Sequence, residues 1–153
     1  IMSAFDPQTY LDSQISEPTV KRPPLPAGDY VGIIEDVKSR SWTGKNDPTK
    51  SGIAFDIPMV IQLPAEVQQQ LGIEATTLKF TDSIMLDLTE SGTIDNGVGK
   101  NRRLRTYREA CDMNKPGDVF SPRKMVGKLV TVKIKHDLWE GEIVEKIAGV
   151  AKA

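Results

Sequence analysis

Residues 129–148 read LVTVKIKHDLWEGEIVEKIA, and this stretch decides the fold. In its first part apolar and polar residues alternate, which is the period-2 pattern of a strand with one buried face and one solvent-exposed face. The apolar set is Val130, Val132 and Ile134. Lys133 and Lys135 lie on the opposite face. The pattern therefore predicts a strand whose solvent-exposed face is basic.

A short turn over residues 137–139 and a return strand over residues 142–148 complete a predicted hairpin. Trp139 lies in that turn, where a large aromatic ring gains little from contact with water. A ring at the end of a lysine-faced hairpin is typical of a surface that stacks nucleotide bases and contacts phosphates. The alternative is a ring that packs against its own loop and only stabilises it.

Three further strands and two helices are predicted upstream of the hairpin. Alternation and turn residues place the strands at residues 30–39, 53–62 and 77–88 and the helices at residues 64–72 and 101–113. Pro58 has no N–H for a strand ladder, so the second strand is expected to lie at an edge or to carry a bulge. Asn101 is expected to cap the second helix. Residues 40–52 and 89–99 are rich in turn-forming residues and are predicted to be loops.

This order of elements predicts a mainly β fold. The arrangement is typical of a five-stranded OB-fold barrel with a helix between strands three and four and, here, a short helix between strands two and three. The barrel domain is expected to span residues 26–153. Residues 1–25 are polar and proline-rich, which predicts an extended N-terminal arm. Phe5 and Tyr10 are candidates for anchoring this arm to the body or to a neighbouring subunit.

The tryptophans support the barrel and indicate its ligand face. OB-folds bind ligands on strands two and three and on the loops that join strands one to two and four to five. The only two tryptophans, Trp42 and Trp139, fall in those two predicted loops. Loops also carry binding residues more often than the elements that they connect.

Three segments resemble a family of bacteriophage single-stranded DNA-binding proteins. They are LPAGDY at residues 25–30, LRTYREAC at residues 104–111 and MVGKLVTVKI at residues 125–134. Members of that family begin their core with a similar Pro-Ala-Gly strand entry and continue with a helix rich in Arg, Leu and Ala, followed by a Gly-Lys strand of alternating Val. The resemblance extends over residues 23–148 and implies an OB-fold and a role in phage replication or recombination.

Two features differ from the family pattern. Family members often end in an acidic tail that recruits replication partners, whereas residues 148–153 are not acidic. Residues 89–99 form a loop without a counterpart in the pattern.

Sequence-tolerant binding of single strands needs stacking rings and phosphate-contacting cations. The stacking candidates are Trp42, Trp139 and Tyr30. The cationic candidates are Arg40, Lys45, Lys50, Lys79, Arg102, Arg103, Lys133 and Lys135. The alternative for the lysines is a solvated strand face, and for the helix arginines a set of salt bridges at the bottom of the barrel. Phe80 alternates with aliphatic residues, which favours core packing over stacking.

Charge is distributed unevenly along the chain. Residues 100–135 carry eleven Lys or Arg and three Asp or Glu, a net charge of +8. The rest of the chain carries nine basic against eighteen acidic residues, a net charge of −9. This polarity favours an anionic partner for one face of the protein.

Several classes of protein are not expected. Cys111 is the only cysteine, which excludes an internal disulfide and is typical of a reducing cytoplasm. His136 is the only histidine, so neither a zinc site nor another cofactor is expected. The sequence has no recognisable secretion signal or membrane-length apolar run, and we expect a cytoplasmic location, the host cytoplasm for a phage protein. No nucleophile, base and orienting group occur together, which argues against an enzyme.

The sequence therefore predicts a single-stranded DNA-binding protein that coats exposed strands during replication or recombination without sequence preference. Single-stranded DNA is the expected partner. Replication proteins, and other copies of the chain through the N-terminal arm, are further expected partners. The rival hypothesis is a protein-interaction or virion-associated module in which the tryptophans pack against a protein.

Overall fold

The computed structural model describes residues 5–153, and the described chain is mainly β. Six strands form one antiparallel sheet: β1 (Gly28–Ile34), β2 (Lys38–Thr43), β3 (Ser51–Gln62), β4 (Thr77–Met85), β5 (Leu129–Trp139) and β6 (Glu142–Lys152). The α-helices are α1 (Ala65–Leu71) and α2 (Arg102–Ala110), and 3-10 helices cover Pro7–Asp12 and Pro122–Met125. The strand order is β2-β3-β1-β5-β6, and β4 pairs with the other edge of β3. The sheet is not closed by backbone pairing.

The predicted first strand is two strands in the structure. β1 ends at Ile34, and β2 begins at Lys38 and continues into the predicted loop over residues 40–52. Both strands pair with β3, through Ile34 opposite Met59 and Lys38 opposite Asp56. The sheet therefore has six strands rather than the expected five. β2 was not predicted as a separate strand because almost all of its residues are exposed, so its sequence shows no alternation of apolar and polar residues.

The break between β1 and β2 is a bulge beside Pro58. Residues 35–37 of the bent strand lie opposite only two residues of β3, Ile57 and Pro58. The Glu35 N–H donates to the Pro58 carbonyl at 2.9 Å, so this side of Pro58 faces the break. The N–H that proline lacks would point the same way, where no ladder partner needs it. The extra residue lies between β1 and β2 and not in β3, which is a continuous central strand, so the predicted edge position or bulge of the second strand is wrong.

β5 and β6 form the predicted hairpin, but the hairpin is longer than expected. Trp139 pairs with Glu142, and the turn consists of Glu140 and Gly141 alone. Their φ angles of 50° and 80° are the left-handed values of a two-residue type I′ turn. The predicted turn over residues 137–139 is therefore wrong, because those residues belong to β5. The return strand ends at Lys152 instead of residue 148.

One hydrophobic core joins the sheet to both α-helices. The alternating sets predicted to be apolar are buried: Phe55, Ile57, Met59 and Ile61 on β3, and Val130, Val132 and Ile134 on β5. α1 adds Val67 and Leu71, and α2 adds Leu104 and Tyr107. The period-2 pattern therefore gave the inner face of the sheet correctly.

A buried polar network ties α2 to β4. Asp82 is 8% exposed and accepts a hydrogen bond from Tyr107 Oη at 2.7 Å. Arg103 forms an ion pair with the same carboxylate. Burial, together with the nearby Asp82 charge, raises the pKa of Tyr107 above its ordinary value. The phenol therefore remains a hydrogen-bond donor, and the helix is linked to the edge strand.

Asn101 stabilises a loop rather than capping α2. It occupies the position before the helix with a left-handed φ of 50°, and its side chain makes no capping hydrogen bond. Its amide instead accepts from the Asp87 N–H at 2.9 Å and donates to the carbonyls of Asp87 and Asp95 at 2.9 and 2.8 Å. The predicted cap is wrong because these contacts of the preceding loop satisfy the side chain first.

The N-terminal arm reaches the body at its C-terminal end. Its first four residues lie outside the described residues, and Pro7–Asp12 is a 3-10 helix rather than extended chain. Leu25 is fully buried, and its carbonyl lies 2.8 Å from His136 Nε2. Arg22 forms an ion pair with Glu145 of β6. These contacts, and not the exposed ring of Tyr10, attach the arm to the sheet.

No helix in residues 5–153 combines the length and the apolar character that crossing a membrane requires.

Candidate nucleic-acid interface

The Trp42 ring packs against Gly52 on the outer surface of the sheet. It belongs to β2 and pairs with Gly52 of β3, so both residues point away from the core. A Cβ added to Gly52 would lie 2.9 Å from each of Nε1, Cε2 and Cζ2 of the indole. If the ring met this Cβ edge-on, Nε1 and Cζ2 would lie closer to it than Cε2 does. Because the three distances are equal, the ring presents mainly its face to β3. The predicted loop position of Trp42 is corrected to a strand position.

The Trp42 ring is half-buried and holds one unpaired donor. Its Nε1 atom is buried and has no hydrogen-bond partner among the described residues. An unsatisfied buried donor costs about 1–3 kcal/mol. Part of the packing energy of the ring is therefore offset, which makes displacement of the ring by a ligand less costly.

A polar cluster continues from Trp42 along the same face. Arg40 pairs with Ala54, and its Nε donates to Asp56 Oδ2 at 2.8 Å. Ser83 of β4 donates to the other oxygen of that carboxylate. The Ser83 hydroxyl and then the Arg40 guanidinium hold the pKa of Asp56 below its ordinary value. Arg40 is thus held in place while its side chain stays 44% exposed.

Sequence reasoning missed Met85 and Lys38 on this face. Met85 pairs with Ala54 across β3 and is 58% exposed, and Lys38 pairs with Asp56. Alternation on β4 contained the signal for Met85, because the neighbouring Ile84 is buried. Trp42, Arg40, Lys38 and Met85 therefore form a mixed aromatic, basic and apolar surface, which we call the β2–β4 face.

Lys79 lies on the same side of the sheet but is already paired. It pairs with Val60 of β3, and its Nζ lies 3.2 Å from Glu35 Oε2. Both side chains are largely exposed, so the ion pair is weak in water. Lys79 can exchange this partner for a phosphate at little cost.

The other candidate Lys and Arg side chains differ in whether they form an ion pair. Within residues 5–153, five candidates make no ion pair: Lys45, Lys50, Arg102, Lys133 and Lys135. Arg103 is bound to Asp82, which fits the salt-bridge alternative for the helix arginines. Lys133 and Lys135 are exposed as predicted. They belong to β5, which β1 separates from β3, so they are not part of the β2–β4 face.

Trp139 is the second exposed ring. It is 67% exposed at the end of β5, where Gly141 turns the chain back. No side-chain contact fixes its ring in the described chain, in contrast to the seat that Gly52 gives Trp42. Trp139 was predicted to be exposed, and it is exposed; it lies at the end of a strand, however, and not in the predicted turn.

Tyr30 is not available for stacking in this conformation, whereas Phe80 is only partly buried. Tyr30 is 7% exposed, and its hydroxyl donates to the Pro26 carbonyl at 2.6 Å. Burial raises the pKa of Tyr30. Phe80 lines a groove of about 1000 Å³ below the arm, with the Arg22 guanidinium carbon 6.0 Å from its ring centroid. Tyr30 is therefore withdrawn as a stacking candidate, because inward alternation placed it in the core.

The described residues hold no group of three or more His, Cys, Asp or Glu side chains that could bind a metal ion. No protein-family profile matches the chain, and no curated protein matches it in sequence.

Proposed function

We propose that the sheet is an OB-fold barrel in which β1 and β2 together form the bent first strand. Strand one then pairs with strands two and four, strand two pairs with three, and strand four pairs with five. Those are four of the pairings of a five-stranded OB barrel. α2 follows the third strand, as that fold requires. Side chains occupy the remaining seam between β4 and β6, through Asp82 with α2 and through Arg22 with Glu145.

On this fold the protein is proposed to be a single-stranded DNA-binding protein of the bacteriophage type. It would coat exposed strands in replication or recombination without sequence preference and without catalysis. The observation that carries the proposal is the position of the Trp42 indole, which packs on Gly52 beside Arg40 on the β2–β4 face. A flat aromatic ring with neighbouring cations is what sequence-tolerant stacking requires, because every base has a π-face.

The loop cations suit the same role. Lys45 and Lys50 lie between β2 and β3, and the loop is closed by the Gly44 N–H donating to the Lys50 carbonyl at 2.8 Å. Both side chains are exposed and unpaired in the described chain. Phosphates bound there would displace condensed counterions, and each contact contributes about 0.7 to the slope of log affinity against log salt.

Fluorescence anisotropy of labelled oligo-dT tests the proposal. A length of about 12 nucleotides falls within the site size of one OB-fold. We expect tight binding of the single strand, weak binding of a duplex of equal length, and loss of affinity with salt. The Trp42→Ala, Trp139→Ala double variant is expected to lose affinity and stay folded, whereas Tyr10→Ala, which removes an exposed ring elsewhere, keeps it. Equal and weak binding of both nucleic acids, or full affinity in the double variant, would refute the proposal.

A further inference from the structure

The N-terminal arm exposes a series of large apolar side chains to solvent. Residues 5–22 are exposed almost throughout. The large apolar side chains among them are Phe5 at 69%, Tyr10 at 55%, Leu11 at 80%, Ile15 at 82% and Val20 at 82% exposed. The rings of Phe5 and Tyr10 contact each other, with their centroids 6.3 Å apart. Such a concentration of exposed apolar area in one short segment is typical of a segment that is covered by a partner. We call residues 5–20 the apolar arm.

The apolar arm is acidic and partly preformed. It contains Asp6, Asp12 and Glu17 and no Lys or Arg, so its net charge is −3. Asp6 Oδ1 accepts a hydrogen bond from the Gln8 N–H at 3.1 Å and caps the 3-10 helix Pro7–Asp12. Local order of this kind lowers the entropy cost of binding.

The outer face of β1 and β5 exposes a matching apolar surface. Val31 is 45%, Ile33 36% and Leu129 53% exposed, and Ile33 pairs directly with Leu129. Val126, which precedes β5, is 44% exposed. We call these four residues the β1–β5 patch. They point away from the core because Tyr30, Ile34 and Val130 alternate with them inside it.

The charge around the β1–β5 patch is opposite to that of the arm. Exposed cations surround it: Arg123, Lys124, Lys128 and Lys133. The acidic residues nearby are Asp29, which lies opposite Lys133, Glu35, which is paired with Lys79, and Asp36, which lines a pocket with Val126 and Arg123. The surroundings are therefore net positive, and an arm of charge −3 is both an apolar and an electrostatic match.

We propose that the apolar arm of one copy binds the β1–β5 patch of a second copy. Within one copy the arm contacts β6 through Arg22 with Glu145, which lies opposite His136 of β5, and through Lys21 with Glu142 nearer the hairpin turn. Leu129 lies seven residues further along β5, about 23 Å at the rise of a strand. Among the described residues the apolar side chains of the patch and of residues 10–20 are exposed in one copy, so both surfaces are accessible to a second copy.

Two copies that exchange arms reciprocally about a twofold axis form a closed dimer, whereas an arm that binds only the next copy makes a heterologous contact. Heterologous contacts that do not close into a ring produce open chains of subunits. The inference goes beyond nucleic-acid binding and does not depend on it, because arm and patch are tested without DNA.

Sedimentation velocity of the full chain without DNA tests the proposal, at protein concentrations from about 1 to 200 µM, a range that resolves micromolar affinity. We expect the average mass to rise with concentration and the rise to weaken with salt. The Leu11→Ser, Ile15→Ser arm variant and the Leu129→Ser patch variant should each weaken association about tenfold or more. Val98→Ser and Val119→Ser, which change equally exposed apolar residues in loops, should leave it unchanged.

Mixing the two variants gives the decisive outcome. The arm variant retains an intact patch and the patch variant retains an intact arm, so an equimolar mixture should recover dimers but not longer chains. A protein that stays monomeric across the range, as it would if the arm covered its own patch, overturns the proposal. So does association that both variants retain, that the loop controls lose equally, or that mixing does not recover. Circular dichroism of every variant verifies that the fold is intact.

Discussion

Gly52→Ala is expected to displace the Trp42 ring and to weaken single-strand binding. The added Cβ would lie 2.9 Å from three indole atoms, whereas carbon contacts are optimal at about 3.5–4.0 Å. The ring must therefore retreat from the strand by about 0.6 Å or more. Gly52 has no positive φ, so alanine itself fits the backbone of β3.

The expected loss of DNA affinity follows from the proposed stacking of a base on the Trp42 ring. Stacking of a base on an aromatic side chain contributes about 1–3 kcal/mol, which corresponds to a rise in Kd of about 5- to 150-fold. Stability should change little, since alanine is favoured over glycine in a strand by about 0.5–1 kcal/mol and this gain opposes the lost packing. Binding and stability should therefore respond separately.

Two measurements in one background test this prediction. In a Trp139→Phe chain Trp42 is the only tryptophan, so its emission reports the position of the ring. Anisotropy of oligo-dT then gives Kd for the same protein. Gly149→Ala is the matched control, because a Cβ on Gly149 meets no atom within 4 Å. An unchanged emission would refute the geometry, and a shifted emission with unchanged Kd would refute stacking on Trp42.

Three further predictions concern single residues. Tyr107→Phe should lower the free energy of unfolding by about 1–3 kcal/mol, because Asp82 loses a buried donor; urea unfolding measures this, and an equal loss in the exposed control Tyr10→Phe would contradict it. Trp139→Ala should raise Kd for oligo-dT about 5- to 150-fold while stability stays within about 0.5 kcal/mol, because the ring is exposed; a large loss of stability would show that the ring is structural. Ser83→Ala should raise the pKa of Asp56, because the Ser83 hydroxyl is the main group lowering it. Since the folded pKa is depressed, the stabilisation by Asp56 is present at neutral pH and is lost as pH falls through the folded pKa, in a window below the unfolded value of about 3.9. Carboxyl NMR titration would show this, and an unchanged Asp56 titration in the variant would contradict it.

The sequence predicted the inner face of the sheet because burial imposes a period of two. Ile57, Met59, Val130 and Val132 are buried as the alternation required. β2 has no buried face of its own, so its residues carry no such signal, and the bent first strand was predicted too short. The same absence placed Trp42 in a loop.

Candidate residues could be assigned to a face only where the register of the sheet was known. Alternation alone does not say which of two faces is inward, and Tyr30 was retained as a stacking residue for that reason. The seat of Trp42 on Gly52 depends on pairing between residues ten positions apart in the chain. The link between Arg103 and Asp82 spans 21 positions and the loop between β4 and α2, and no local pattern encodes it.

The junction between the arm and the sheet also has a consequence for biosynthesis. Arg22 contacts Glu145 across 123 positions, and Leu25 is covered only when His136 and β6 are in place. Contacts of such separation form late, because the closure of long loops costs entropy before any contact compensates for it. The arm precedes the hairpin in the chain, so it is expected to reach its place on the body only after the hairpin has formed. Until then Leu25 and the neighbouring prolines remain accessible to chaperones and proteases.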